Sequence, residues 1–161
     1  EVSQKVYFSD TDSLGIVYYS RHLEWLEMAR IEFLTKIYKP VTQMMAQDKI
    51  CFLPVSVHIN YKTPAVFEDV LKIKLFFREL EKYKLTLMNL VFKENNGKEI
   101  LVSETEMTML CINIEKGNRP AKIPDVLMEK FQNWQIKQYS YRELNLITPP
   151  EVVATGSSIP A

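Results

Sequence analysis

Apolar residues along this chain change their spacing once, near position 50. Before it, from about Ser20 to Ile37, Leu23, Leu26, Arg30, Phe33, Leu34 and Ile37 recur at helical intervals and predict one long amphipathic helix. Pro40 ends it, because proline cannot donate to the helical ladder. Residues 41–48, "VTQMMAQD", read as a short second helix or a turn. After it, "ICFLPVSVHINYKT" (50–63), "DVLKIKLFFRELE" (69–81), "YKLTLMNLVFKEN" (83–95) and "EILVSETEMTMLCINIE" (99–115) alternate as strands do. Val70, Ile73 and Leu75 are expected on one face in part, and Val102, Glu104, Glu106 and Thr108 on a half-wet one.

Punctuation supports these elements. Asn95-Asn96-Gly97 is a hairpin signal, and Lys116-Gly117-Asn118 is a stop. "VSQKVYFS" (2–9) has the Val, Tyr and Phe of a further strand. "IPDVLMEKFQNWQ" (123–135) reads as a final helix, with Pro124 near its start and Asp125 in its first turn. Strand, long helix, four strands and a helix exclude a doubly wound sheet, which would alternate strand and helix throughout. The expected class is α+β, a long helix lying across an antiparallel sheet. The domain is placed at 1–138, with 139–161, polar and carrying Pro149-Pro150, as a loosely attached tail.

Composition narrows the function without choosing it. A chain of 161 residues, 47% hydrophobic and 25% charged, is an ordinary single domain. Twenty basic and twenty acidic residues cancel, so no overall field argues for nucleic acid. No apolar run or signal-peptide pattern stands out, so no transmembrane segment and a cytoplasmic location are expected. Cys51 and Cys111 sit far apart in strand-like runs and read as buried reduced thiols rather than a disulfide or zinc site.

The chemistry concentrates in "YFSDTDSLGIVYYSRHLEWLEMAR", residues 7–30. A calcium loop counted from Asp10 would need an oxygen ligand where Leu14 stands and a glutamate where Arg21 stands, so calcium fails. A haloacid-dehalogenase-type Asp-x-Asp needs a parallel sheet, which the strand order denies. Two readings of the residues stay open. Asp10, Asp12, Ser13 and Gly15 form a polar capping turn, or the apolar run "GIVYY" carries a buried approach to a helix N-terminus able to bind an oxyanion. Of the two histidines, His58 is expected to be structural and His22 is a candidate for lining the site. Glu27 and Arg30, an i, i+3 pair, are an ion pair or a substrate contact.

"VYFSDTDSLGIVYYSRHLEWLEMARIEFL" resembles the N-terminal signature of the 4-hydroxybenzoyl-CoA thioesterase family, closest to its bacterial acyl-CoA thioesterase branch with the Tol–Pal-associated members. "NYKTPAVFEDVLKI" (60–73) resembles the same family's Tyr-x-x-Pro-Ala segment. The resemblance, over about 2–135, implies the hot-dog fold, a long central helix wrapped by a five-stranded antiparallel sheet. It implies hydrolysis of an acyl-CoA, or of an acyl-carrier-protein thioester, with no cofactor and no metal, in a homodimer or homotetramer with sites at the subunit interface. By position, Asp12 falls on the catalytic carboxylate, Gly15 on the motif glycine, and Tyr19 on the first helical residue, whose N–H polarises the carbonyl. Asp10 matches the second acid, a structural one. Glu27 falls where aromatic-acyl members approach the acyl group, and Lys82 and Lys84 are candidates for the CoA phosphates. Phe52, Tyr61 and Phe67 are expected to close around the acyl pocket. The chain departs from the family at Tyr18-Tyr19, where many relatives have Tyr-His and which leaves Tyr19 its N–H role alone, and at Arg21-His22, where Asn-Tyr is common and which is expected to reshape the pocket mouth.

Overall fold

The long amphipathic helix and the alternating strands bury their apolar faces against each other. In the computed structural model, which describes residues 1–143, β1 (Val2–Lys5) leads through a 3₁₀ turn (Phe8–Asp10) and a loop to α1 (Arg21–Ile37). A helical stretch follows, α2 (Val41–Gln43) running into a π turn (Met44–Asp48). Four long strands come next, β2 (Ile50–Tyr61), β3 (Val70–Leu80), β4 (Lys84–Asn95) and β5 (Lys98–Asn113). β6 (Arg119–Pro120), a short strand not foreseen from the sequence, pairs with β5 and leads to α3 (Asp125–Glu143). The sheet is antiparallel in the order β1-β3-β4-β5-β2, the hot-dog arrangement. Helix α3 continues past position 138, and residues 144–161 of the expected tail lie outside the described residues. No helix among the described residues is long and apolar enough to cross a membrane.

Local chemistry explains where strands stop. The strand expected at 2–9 ends at Lys5 because the Asp10 carboxylate accepts the Tyr7 N–H at 2.8 Å and turns the backbone into the 3₁₀ turn. Asn96 and Gly97 both take positive φ (51° and 76°), as a tight hairpin between β4 and β5 requires. Pro54 lies in β2, which is an edge strand and so loses no ladder bond to a second neighbour.

Two faces differ from the alternation expected. Leu71, Ile73 and Phe77 are buried while Val70 is half exposed, so Val70 does not share their face. On β5 a bulge leaves Val102 without a register partner, between Leu101 opposite Phe92 and Ser103 opposite Val91. The extra residue resets the alternation, and Val102 turns into the core instead of joining Glu104 and Glu106.

The core forms two clusters. One gathers Leu34, Met44, Phe52, Phe77, Met109, Leu127 and Phe131 around the end of α1 and the start of α3. The other gathers Val6, Val17, Trp25, Leu26, Ala65, Leu71 and Ile73 under the first half of α1. Between them, register partners Asn89 and Thr105 are buried, and Asn89 Oδ1 and Thr105 Oγ1 find no hydrogen-bond partner among the described residues. Cys111 is buried, which pushes its thiol up to about 11, whereas Cys51 is only half-buried.

Candidate active site

The Asp-Thr-Asp segment folds as a miniature hairpin before α1. Thr11 bridges Val17, the Asp12 N–H donates to the Ile16 carbonyl at 2.9 Å, and the Gly15 N–H returns to the Asp12 carbonyl at 2.9 Å. Gly15 holds φ +75°, which a side chain would strain; its place in the site is backbone geometry. The hairpin is tied to the β2–β3 connection by the Val17 N–H donating to Ala65 (2.8 Å) and by the Ile16–Val66 bridge.

The two aspartates do different things there. Asp10 is buried, accepts the Tyr7 N–H and stands 3.6 Å from Arg21 Nε; its carbonyl accepts the Tyr18 N–H at 2.8 Å. It holds the loop. Asp12 is half-buried and spends one oxygen on the Leu14 N–H at 2.8 Å. Its other oxygen has no partner among the described residues, which leaves it able to activate water or attack a carbonyl. The Tyr18 phenol, raised mainly by Tyr19 beside it and by burial, also feels the Asp12 charge.

Helix α1 starts at Arg21, with Ser20 as N-cap, so Tyr19 stands in the turn before the helix rather than on its first residue. Its side chain is exposed, and among the described residues nothing accepts its N–H. Such orphan donors at a helix start are where an oxyanion binds.

His22 departs from expectation. It is 3% exposed, packed under α1 with Nδ1 3.0 Å from Ser103 Oγ on β5, edge-on to the Tyr61 ring at 5.1 Å. Burial pushes its pKa down to about 4, so the ring is neutral at pH 7. It therefore braces the helix rather than forming a pocket mouth. Arg21 does sit at the surface, paired with Glu24 at 2.6 Å. His58, expected as a satisfied structural residue, is exposed on β2 opposite Glu106.

Along α1 from its first turn, Leu23, Glu27, Arg30 and Ile31 face Cys51, Phe52, Pro54 and Val57 of β2 across a cavity of about 450 Å³. A cavity of this size can hold a small organic molecule. Of the three aromatics expected around an acyl pocket, Phe52 lines this cavity, while Tyr61 turns to Tyr19 and His22 and Phe67 packs edge-on against Phe8. Arg30 Nη2 is 3.8 Å from a Glu27 carboxylate that is 62% exposed, and Arg30 Nη1 lies 3.5 Å from the sulfurs of Met107 and Met109.

Lys82 and Lys84 lie elsewhere. They belong to the β3–β4 hairpin, whereas the Asp12 loop packs on residues 65 and 66 just before β3 begins. Eleven strand residues at roughly 3.3 Å each put about 30 Å between the two ends. Lys84 pairs with Glu81 at 3.2 Å and Lys82 lies over the Tyr83 ring. Within one protomer they are not part of the Asp12 site. Sequence reasoning missed Ser103, a small polar residue in an alternating strand whose partner His22 lies 81 positions away.

Comparison with known proteins agrees with this fold. Residues 6–131 match the family model described as the Thioesterase-like superfamily. The chain is 32% identical over 130 residues to acyl-CoA thioesterase YbgC of Helicobacter pylori, covering 78% of this chain and 94% of the relative. Among solved structures it is similar to a gentisyl-coenzyme A thioesterase, with TM-score 0.69 and 27% identity over 81% of this chain and 98% of that one. It shares its fold with a 4-hydroxybenzoyl CoA thioesterase mutant solved with 4-hydroxybenzoyl CoA, with TM-score 0.76 and 22% identity over 80% and 95% of the two chains. Together these matches establish that the chain belongs to the Thioesterase-like superfamily and is a thioester hydrolase.

Proposed function

We propose that this chain hydrolyses an acyl-CoA thioester to a free acid and CoA, with Asp12 as the catalytic carboxylate and the Tyr19 N–H as an oxyanion donor. The observation that carries this reading is the Asp12 carboxylate, held by one oxygen and, among the described residues, free at the other, in a hairpin that leads into a turn whose Tyr19 N–H has no acceptor among them. Bound with its carbonyl at that turn, the thioester gains a donor where negative charge develops. Asp12 either removes a proton from the attacking water or adds to the carbonyl to give a mixed anhydride that water then opens. The thiolate of CoA leaves without help from a strong acid. YbgC of Helicobacter pylori, named an acyl-CoA thioesterase, supports the substrate class. The test is release of free thiol from a panel of acyl-CoAs and acyl-carrier-protein thioesters; tight binding of acyl-CoA with no thiol release overturns hydrolysis in favour of a binding protein.

The working unit in this reading is at least a dimer. β2 is an edge strand, its residues 53–58 are exposed, and Leu53, Val55, Val57 and Tyr61 present apolar surface beside the open cavity. A second copy pairing along β2 covers that edge and closes the cavity. Molar mass in solution checks it, with a monomer as the contrary result.

Glu27 supports a polar acyl group. The Glu27 carboxylate is solvent-screened although Arg30 beside it is only 15% exposed, so Glu27→Gln is expected to lower stability modestly, by about 1 kcal/mol. It is expected to lower kcat/KM for 4-hydroxybenzoyl-CoA more than for a short unsubstituted acyl-CoA, because the carboxylate accepts the substrate hydroxyl. Equal losses on both substrates, with a lower Tm, return Glu27 to an ion-pair role.

A further inference from the structure

The turn that carries the Tyr19 N–H is held at two of its carbonyls, one by the start of α1 and one by β2. Peptide groups at a helix start lack intrahelical partners, so other contacts must set their direction. Two such contacts are present. The Tyr18 carbonyl accepts the Arg21 N–H at 3.0 Å, and the Tyr19 carbonyl accepts the hydroxyl of Tyr61 at 2.9 Å. A trans peptide is planar, so anchoring its oxygen also fixes its N–H. The first contact orients the Tyr19 N–H and the second orients the Ser20 N–H, which likewise has no acceptor among the described residues.

Tyr61 is itself fixed in place by three elements. It lies at the end of β2 in register with Ser103 of β5. Ser103 Oγ meets His22 Nδ1 at 3.0 Å, and the His22 ring packs edge-on against Tyr61 at 5.1 Å. Ser103 and His22 are both buried, so the frame behind Tyr61 is firm. The circuit Tyr61, Ser103, His22 and the turn 18–20 joins the sheet to the start of α1.

We propose that Tyr61 is a positioning residue for the oxyanion turn: its hydroxyl pins the Tyr19–Ser20 peptide and so orients the Ser20 N–H as a second donor beside the Tyr19 N–H. Tyr61 does not line the acyl cavity and reaches the donors through that peptide. This rests on the thioesterase reading given above. Donors aimed at a developing oxyanion lose their effect with small displacements, so a loosened peptide slows the chemical step more than it weakens binding.

The experiment compares wild type with Tyr61→Phe, which removes the hydroxyl and keeps the ring against His22. The expected result is a fall in kcat of about tenfold, with KM changed less than twofold. The backbone ¹⁵N resonance of Ser20 is expected to shift, since its peptide loses the hydrogen bond. A packing role alone would leave kcat unchanged while lowering Tm, and that result overturns the proposal. So does an unmoved Ser20 resonance, which means that the hydroxyl does not hold the peptide. Wild-type protein that releases no thiol from any thioester in the panel removes the thioesterase reading and this inference with it; active wild type with fully active Tyr61→Phe removes the inference alone.

Discussion

Asp12→Asn protein is expected to fold like the wild type and to release thiol from acyl-CoA at least on the order of a hundredfold more slowly. Asparagine keeps the shape of the side chain and an oxygen able to accept the Leu14 N–H, so the 2.8 Å contact that shapes the hairpin survives. What disappears is the charged oxygen that has no partner among the described residues, and with it the base or nucleophile. The companion variant sharpens the result. Asp10→Asn weakens a buried carboxylate that holds the Tyr7 N–H and faces Arg21 at 3.6 Å, so it is expected to lower Tm while keeping most of kcat. Thermal melts alongside thiol release separate the two. Near-normal turnover by folded Asp12→Asn moves the chemistry to another residue.

The second large effect is on stability against pH. His22 is held near pKa 4 in the folded protein by burial, below its ordinary value near 6.5. The unfolded chain therefore binds the proton more readily, and stability falls as pH drops from about 6.5 towards 4, with no further loss from this group below that. Between pH 7 and pH 5 the expected loss from His22 is about 2 kcal/mol. A side chain that cannot be protonated removes this slope. His22→Phe is expected to flatten the difference in denaturation midpoint between the two pH values, whatever its own stability at pH 7. A slope equal to that of the wild type assigns the pH dependence to other groups.

Much of the architecture was legible because its signals are local. The change from helical spacing to alternation at about position 50, Pro40, and the Asn96-Gly97 turn lie within a few residues of the elements they define. They place α1, α2 and β2–β5 within a few positions of where the structure has them. The Asp-Thr-Asp segment was legible as a place for the same reason. A run of polar turn residues and a glycine directly before an amphipathic helix encodes a loop whose side chains and N–H groups share one small region.

Tertiary structure decided the rest, wherever the controlling contact is distant in sequence or the count of residues is broken. The bulge at Val102 reverses an alternation that the strand's own pattern cannot correct, because only the register against β4 shows which residue is extra. His22 looks like a site residue from its neighbours in sequence, and only the approach of Ser103 from β5 makes it a buried brace. Lys82 and Lys84 suit phosphates by type, and an eleven-residue strand places them, within one protomer, at the far end of the sheet. Tyr61, foreseen as a wall of the acyl pocket, reaches the turn at Tyr19 because β2 crosses back past the start of α1. Spacing along the chain determined which residues lie in a helix, a strand or a turn, because those bonds close over a few positions; which of those residues meet was decided by sheet register and helix packing, which join positions dozens of residues apart.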